Sequence, residues 1–452
     1  MIRLSYVLAC ALALSTVAQS GVAVAAAPTI SATDSRDIAD SYGYLTSNFY
    51  QHVSPQHVLD SVRSDLLATL HSAGVANASL PAMRSNSFPD GNVRAIDAEI
   101  VRAATEAGAH TNAHLLSYAA IDGMMRSVHD RYTVFMTPAE FAALNEGLDG
   151  TDFGGIGIVI QQDDQTHYIS VENVIPDGPA DKAGIQQDDL IVSIDGTSTR
   201  SMTPQQASSH LRGKSGTTVS LVIQRNGSML TSPVVITRAT IHDVSVVEKM
   251  LPGKIGYIEL SVFGLDTGSE LNAALTRLQQ EGVRAIVLDL RDNGGGYLDA
   301  AIAVSSEFIS SGPIVSVEQR GSDVTTWEAD DTAISPLPLA VLVNGYTASA
   351  SEITSGAIQD SGVGTIIGTR TFGKGVVQTI YPLRDRSAVK ITTARYLTPH
   401  NRDINHLGIT PDIAVTENAS PHFGDPSRDT QLQRAIEFLQ GRLAQLGAQN
   451  NS

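Results

Sequence analysis

The chain has 452 residues, more than one ordinary domain holds, and at roughly 150 residues per domain this implies two to four domains. A composition of 42% hydrophobic and 17% charged residues with 38 glycines is that of a globular protein with many tight turns, which excludes a disordered tail and a collagen. Thirty basic against 47 acidic side chains leave a net charge of −17, which repels phosphate backbones and anionic lipid; with aromatics at 5%, a nucleic-acid-binding role is disfavoured.

At the start of the chain Met1-Ile2-Arg3 carries the only charge before Asp34, residues 4–17 are almost wholly apolar, and Ala23-Val24-Ala25-Ala26-Ala27 offers an Ala-x-Ala cleavage site. Residues 1–27 read as a secretory signal peptide, shorter in its apolar part than the ~20 residues a spanning helix needs; an uncleaved membrane anchor is the alternative. The expected destination is outside the cytoplasm, periplasmic or extracellular, or membrane-associated through an uncleaved signal. Cys10 is the only cysteine and lies in this segment, so the mature chain has no thiol for a disulfide, a nucleophile or a metal site. No later stretch is apolar for long enough to cross a bilayer. Asn-x-Ser triplets at Asn77, Asn226, Asn418 and Asn450 matter only in a host that glycosylates.

Between 34 and 70, Ile38, Tyr42, Leu45, Phe49 and Val53, and then Val58, Val62, Leu66 and Leu70, recur at helical spacing and predict two helices. Residues 71–93 are rich in Ala, Asn, Ser, Pro and Gly and lack a period, which predicts a loop or ill-ordered insertion (about 71–96) before helical patterning resumes from about Ala95 through Met125. Residues 28–150 are thus an N-terminal helical region. Short β-branched runs at 156–160, 168–171, 190–194 and 219–223, a helix near 204–211 and the tight-turn pair Asp195-Gly196 predict a small β module over 151–238. Strands at 255–260, 285–290, 339–343, 365–367 and 388–392 then alternate with helical patterns at 269–280, 297–309 and 349–359, a βαβ architecture within 239–420. Such folds gather functional groups at the carboxyl ends of their strands. A last helix within 421–452 aligns Leu432, Ile436, Leu439, Leu443 and Leu446 on one face, for core packing, with a dimer seam as the weaker reading.

Three segments of the βαβ region are chemically suggestive. Arg291-Asp292-Asn293-Gly294-Gly295-Gly296 joins a strand to a helix; three successive glycines cost backbone entropy, and outward N–H groups ahead of a helix form an anion cradle, an oxyanion hole or phosphate loop, unless the run is a bare turn. The spacing is not G-x-G-x-x-G, so a dinucleotide site is weak. Val343-Asn344-Gly345-Tyr346-Thr347-Ala348-Ser349-Ala350-Ser351-Glu352 runs from a strand end into a helix start, where Ser349 lies near unpaired N–H groups, as suits a nucleophile that generates an oxyanion; helix capping is the alternative. Gly368-Thr369-Arg370-Thr371-Phe372-Gly373-Lys374-Gly375 fits G-x-x-x-x-G-K, but Gly375 replaces the hydroxyl that holds magnesium in a P-loop. Lys374 lies among Phe372, Val376 and Val377, and desolvation from ~10.4 to near 7.4, roughly 4 kcal/mol of bias, makes a neutral lysine a usable base. Gln378 follows at i+4, where a helical turn or local bend would let it orient the amine. Of the 12 histidines, His242, His400 and His406 flank this region, yet none is framed by glycines, and ordinary core or surface roles are the simpler reading. Without G-x-S-x-G or H-E-x-x-H, an α/β-hydrolase elbow and a zincin are unsupported.

Taken together, these three segments resemble the carboxyl-terminal processing peptidases, the tail-specific serine proteases, over a match from about Ala119 to Gln440. The resemblance implies an α/β catalytic core, crotonase/ClpP-like, with an inserted PDZ domain. It places the nucleophile on Ser349 and the general base on Lys374, with Gln378 supporting the lysine and an oxyanion hole from the amides of Gly295 and Ala350. Gly294 stands where the family often has proline. The β module resembles a PDZ domain, with Gly155, Ile156, Gly157 and Ile158 at the loop that receives a peptide's terminal carboxylate as the peptide adds as a strand. Ala180-Asp181-Lys182-Ala183-Gly184-Ile185 and Leu211-Arg212-Gly213-Lys214 extend that likeness, and His129-Asp130-Arg131-Tyr132-Thr133-Val134-Phe135-Met136-Thr137 resembles the family's segment ahead of the domain. The implied activity is serine endopeptidase cleavage of proteins or peptides recognised by their C-terminal tails. It needs no metal or organic cofactor and no nucleic-acid partner, and a homo-oligomer stays open. The rival reading is a catalytically inactive PDZ scaffold that binds tails without cutting them.

Overall fold

The computed structural model describes residues 28–148, 153–163, 166–175, 178–241, 244–331, 333, 336–417 and 423–449. The signal segment with Cys10, and also His242, Asn418 and Asn450, lie outside the described residues. The N-terminal region packs α1 (Ala32–Asn48), α2 (Pro55–Ser72), α3 (Pro89–Ala107) and α4 (Ala113–Arg126) into one bundle, followed by β1 (Val134–Met136) and α5 (Pro138–Leu148). The apolar stripes meet as their spacing requires, with Ile38, Leu45, Leu59, Val62, Leu66 and Ile100 fully buried. The supposed insertion is ordered. Helix α3 begins at Pro89, whose fixed φ and missing N–H suit a first helical position, and Asn92 inside it donates to the Tyr42 hydroxyl at 2.8 Å. The rest of that segment is pinned by two single plugs, Leu80 and Met83, whose carbonyls accept from Arg63 Nε (2.8 Å) and Gln56 Nε2 (3.0 Å). Two isolated anchors leave no period to detect.

The small β module comprises β2 (Phe153–Gly155), β3 (Ile158–Gln162), β4 (Ile169–Val174), α6 (Pro179–Lys182), β5 (Leu190–Ile194), β6 (Thr197–Ser198), α7 (Pro204–Leu211), β7 (Thr218–Arg225), β8 (Ser228–Met229), β9 (Val234–Thr237) and β10 (Ala239–Ile241). Its sheet runs β3-β4-β5-β7-β8, with β6 on β5 and β9 on β7, while β2 and β10 form a separate antiparallel ribbon at the module's base. The apolar run 156–160 is therefore not one strand but a loop at Ile156-Gly157 leading into β3.

The remaining elements are β11 (Val246–Leu251), β12 (Ile255–Leu260), α8 (Thr267–Gln280), β13 (Ala285–Asp289), α9 (Leu298–Ser306), β14 (Pro313–Gln319), β15 (Thr325–Glu328), β16 (Leu339–Val343), α10 (Ala350–Ser361), β17 (Thr365–Gly368), β18 (Val376–Pro382), β19 (Ala388–Leu397), β20 (Ile413–Ala414) and α11 (Thr430–Gln449). The main sheet is ordered β11-β12-β13-β16-β17-β20, parallel except for the edge pair β11 and β12. Every residue of β13 and β16 is buried, as expected of parallel strands covered on both faces. The core clusters set α8, α9 and α10 in one hydrophobic layer and Leu432, Ala435 and Leu439 of α11 in another with the opposite faces of the same strands; Leu446 is 42% exposed. The helix face read from sequence is thus mostly a core face.

The strand at 388–392 is not in this sheet. It is the start of β19, in a second, antiparallel sheet ordered β1-β19-β14-β15 with β18 also on β19. Most of β19 is buried, so its apolar run looks like a parallel core strand, whereas the tight turn to β18 dictates antiparallel pairing. Val389 and Ile391 of β19, with Leu383 of that turn, pack against the helical bundle. The whole is an α/β core carrying an inserted β module and an N-terminal helical region. Among the described residues no helix is long and apolar enough to cross a membrane.

Candidate active site

Strand β16 ends at a loop that is laced to the glycine loop after β13. Asn344 donates to Asp292 Oδ1 at 2.8 Å and accepts from the Asp292 and Tyr346 amides at 3.1 Å. Thr347 Oγ1 donates to Leu290 O at 2.8 Å. Ser349 follows at the N-terminus of α10 with φ 57 and ψ −116, a left-handed conformation that costs a non-glycine residue ~1–3 kcal/mol and persists only where neighbours enforce it. It is half-buried, and the next amide, that of Ala350, has no acceptor among the described residues.

The glycine loop fits against this turn. A Cβ at Gly295, φ 98, would come within 2.8 Å of Ser349 Cβ, so only glycine can stand there. Buried Asn293 staples the two loops: its carbonyl accepts from Ala348 N–H and Ser351 Oγ, both at 3.0 Å, and its amide donates to Leu260 O at 2.6 Å. The Gly295 N–H itself is donated to Asn293 Oδ1 at 2.8 Å. Behind the loop, Arg291 lies between Asp289 and Asp429, all three buried; Nη1 reaches Asp429 Oδ1 at 2.9 Å and Gln431 Oε1 at 3.1 Å. Burial opposes the Arg291 charge, but the two carboxylates outweigh it and hold the guanidinium above its ordinary value.

The third segment reaches the same point through Glu352. This fully buried carboxylate accepts from the amides of Ser349 (3.0 Å), Gly373 (2.7 Å) and Lys374 (2.8 Å), and from Thr371 Oγ1. Burial pushes its carboxyl up, while these four donors pull it down. The sequence reading assigns Glu352 no role, although Ser-x-x-Glu at a helix start is a capping-box pattern that could have pointed to it. Burial and then the like charge of Lys390 lower the Lys374 amine to about 8, against the pull of Glu352 and Asp130. Its Nζ lies 5.1 Å from the centroid of the Tyr132 ring. Among the described residues no hydrogen bond joins Nζ to Ser349 Oγ or to Gln378. Gln378 is on strand β18 rather than a helical turn, and its amide donates at 3.4 Å to Val376 O and Thr392 Oγ1. His400 and His406 are exposed; one faces Asp360 and the other donates its backbone N–H to Gly373 O. Among the described residues no group of three His, Cys, Asp or Glu could hold a metal ion.

In the β module, Gly155, Ile156, Gly157 and Ile158 line one side of a groove of about 490 Å³, opposite Ser208 and Leu211 of α7. The carbonyls of Ile156 and Gly157 accept from Ala180 (2.8 Å) and Ile175 (3.0 Å), but their N–H groups have no acceptor among the described residues. Two unpaired amides beside an apolar groove can receive a carboxylate.

The profile of peptidase family S41 matches residues 254–415, and that of the PDZ domain matches residues 148–224. The chain is 35% identical over 327 residues to a carboxyl-terminal-processing protease of Picosynechococcus sp., covering 72% of this chain and 79% of that protein. It is 34% identical over 334 residues to one of Synechocystis sp., covering 73% and 78%. Among solved structures, the photosystem II D1 C-terminal processing protease covers 86% of this chain and 94% of its own at 28% identity, with a TM-score of 0.46.

Proposed function

Since the chain belongs to the carboxyl-terminal-processing serine proteases of peptidase family S41 and carries their PDZ domain, we propose that it cleaves substrates captured by their C-terminal tails, with Ser349 as nucleophile and Lys374 as general base. The observation that carries the reading is the Glu352 carboxylate, which ties the Ser349 and Lys374 amides to a single anchor. This reading requires a competent conformer in which Lys374 Nζ leaves the Tyr132 ring and meets Ser349 Oγ. Neutral Nζ removes the Oγ proton as Oγ bonds to the scissile carbonyl carbon; the ammonium then returns that proton to the departing amine, and water cleaves the acyl-enzyme by the same route. Gln378, held by two long hydrogen bonds, is the residue proposed to orient the amine. The oxyanion is received by the Ala350 amide and by the Gly295 amide, which exchanges Asn293 Oδ1 for a charged and therefore stronger acceptor.

The unpaired amides of Ile156 and Gly157 support tail capture in the PDZ groove. The parallel sheet under α8–α10 is compatible with the crotonase/ClpP-like core implied by the resemblance, and residues 1–27 support export. An inert tail-binding scaffold is disfavoured: a strained serine and a desolvated lysine cost stability without benefit to binding. The test is to incubate the protein, Ser349→Ala and Lys374→Ala with unfolded proteins and map the cuts by mass spectrometry. Both substitutions should remove all cuts, and full proteolysis by Ser349→Ala overturns the assignment.

A further inference from the structure

A buried arginine to which the sequence reading gives no role, Arg238, caps the carboxyl end of α7, the helix on one wall of the PDZ groove. Arg238 is 8% exposed, and among the described residues no carboxylate lies within ion-pair distance of it. Its donors go to oxygens of the chain instead. Nε donates to Leu211 O at 2.8 Å, Nη2 to His210 O at 2.9 Å, and Nη1 to Thr218 O at 2.7 Å and Thr217 Oγ1 at 3.1 Å. His210 and Leu211 are the last residues of α7, where carbonyls have no intrahelical partner and carry the negative end of the helix dipole. A guanidinium can be buried there without a counter-ion because those oxygens satisfy its donors.

Arg238 also stands at a junction. It directly precedes β10, which pairs with β2, and β2 leads into the loop of Ile156 and Gly157. Gly213 lies against the guanidinium, where a Cβ would come within 3.0 Å of Nε, and donates its own N–H to Gly154 O of β2 at 2.8 Å. One side chain therefore touches the helix on one wall of the groove and, through Gly213, the strand that feeds the other wall.

We propose that Arg238 is a positioning residue for tail capture, holding the carboxyl end of α7 at the distance from the Ile156-Gly157 loop that accepts a peptide terminus. The inference deepens the tail-capture reading and rests on it. Lysine cannot substitute, because a single ammonium does not span the oxygens a planar fork reaches.

The test uses the full chain in the Ser349→Ala background, titrated with a fluorescent peptide ending in valine, as free acid and as C-terminal amide. The parent should prefer the acid by about tenfold or more, and both Arg238→Lys and Arg238→Met should reduce that preference to about threefold or less while amide binding stays constant. In the active chain the same substitutions should raise KM for the free acid with kcat kept. Equal binding of acid and amide by the parent overturns the tail-capture reading and this inference with it. A preference that survives in both variants overturns the assignment of Arg238 alone, as does a parallel loss of acid and amide binding accompanied by early unfolding.

Discussion

Lys374 can serve as a base only when its amine is neutral, and with that amine lowered by burial to about 8, roughly a tenth is neutral at pH 7. Activity on a short peptide should therefore rise about tenfold from pH 7 to a plateau near pH 9 or above, and a profile flat through this range would count against Lys374. Because the Lys390 charge helps to lower the amine, Lys390→Gln should move the rising limb to higher pH. Glu352 makes a separate prediction. A glutamine there keeps the shape but turns an amide donor toward N–H groups, so Glu352→Gln should lower kcat by about 10- to 100-fold, the worth of one lost hydrogen bond to a charged group. Wild-type kcat in purified Glu352→Gln would dismiss the staple. The segments that carry Ser349 and Lys374 were readable as family motifs because they are local strings. Glu352 gained meaning only when the Ser349 and Lys374 segments met on its oxygens.

The elements differ in how far a local pattern governs them. Strand β16 and helix α7 have the ends the sequence predicts: a continuous apolar run marks the strand, and the helix starts at Pro204 with Thr203 as its cap. The first turns of helix α3, residues 89–94, fell inside the expected insertion because Leu80 and Met83 anchor its approach without periodicity, and β19 was assigned to the wrong sheet because burial on both faces erases the alternation of an antiparallel strand. Helix α11 is more than a cover. The Asp429 carboxylate just ahead of it pairs with buried Arg291 beneath the glycine loop, and Asp429→Asn leaves that guanidinium with one carboxylate. Breaking a buried pair costs about 3 kcal/mol, so the urea midpoint of activity should fall clearly below wild type. An unchanged midpoint would show that α11 is held by its apolar face alone.

At the scale of the molecule, the PDZ core of Ile169, Val171, Ile191, Leu221 and Ile223 is separate from the cores of the peptidase and the helical bundle. Such a unit melts by itself. Calorimetry should resolve more than one transition, and a peptide with a free carboxyl terminus should raise only the PDZ transition. One cooperative peak, shifted as a whole by the peptide, would mean that the units unfold together.

The sequence alone determined the family, the order of the modules and the serine and lysine segments, because turn chemistry, apolar period and glycine-framed strings act over a few residues. Packing in three dimensions was needed to show that the 71–93 segment is ordered, that Gln378 lies on a strand, that Glu352 and Arg291 tie the loops of the candidate site together and that Arg238 caps the end of α7. The segment is held by Leu80, Met83 and Asn92, Gln378 by pairing with β19, and the charged groups by partners distant in the chain; contacts of that kind leave no period or spacing behind.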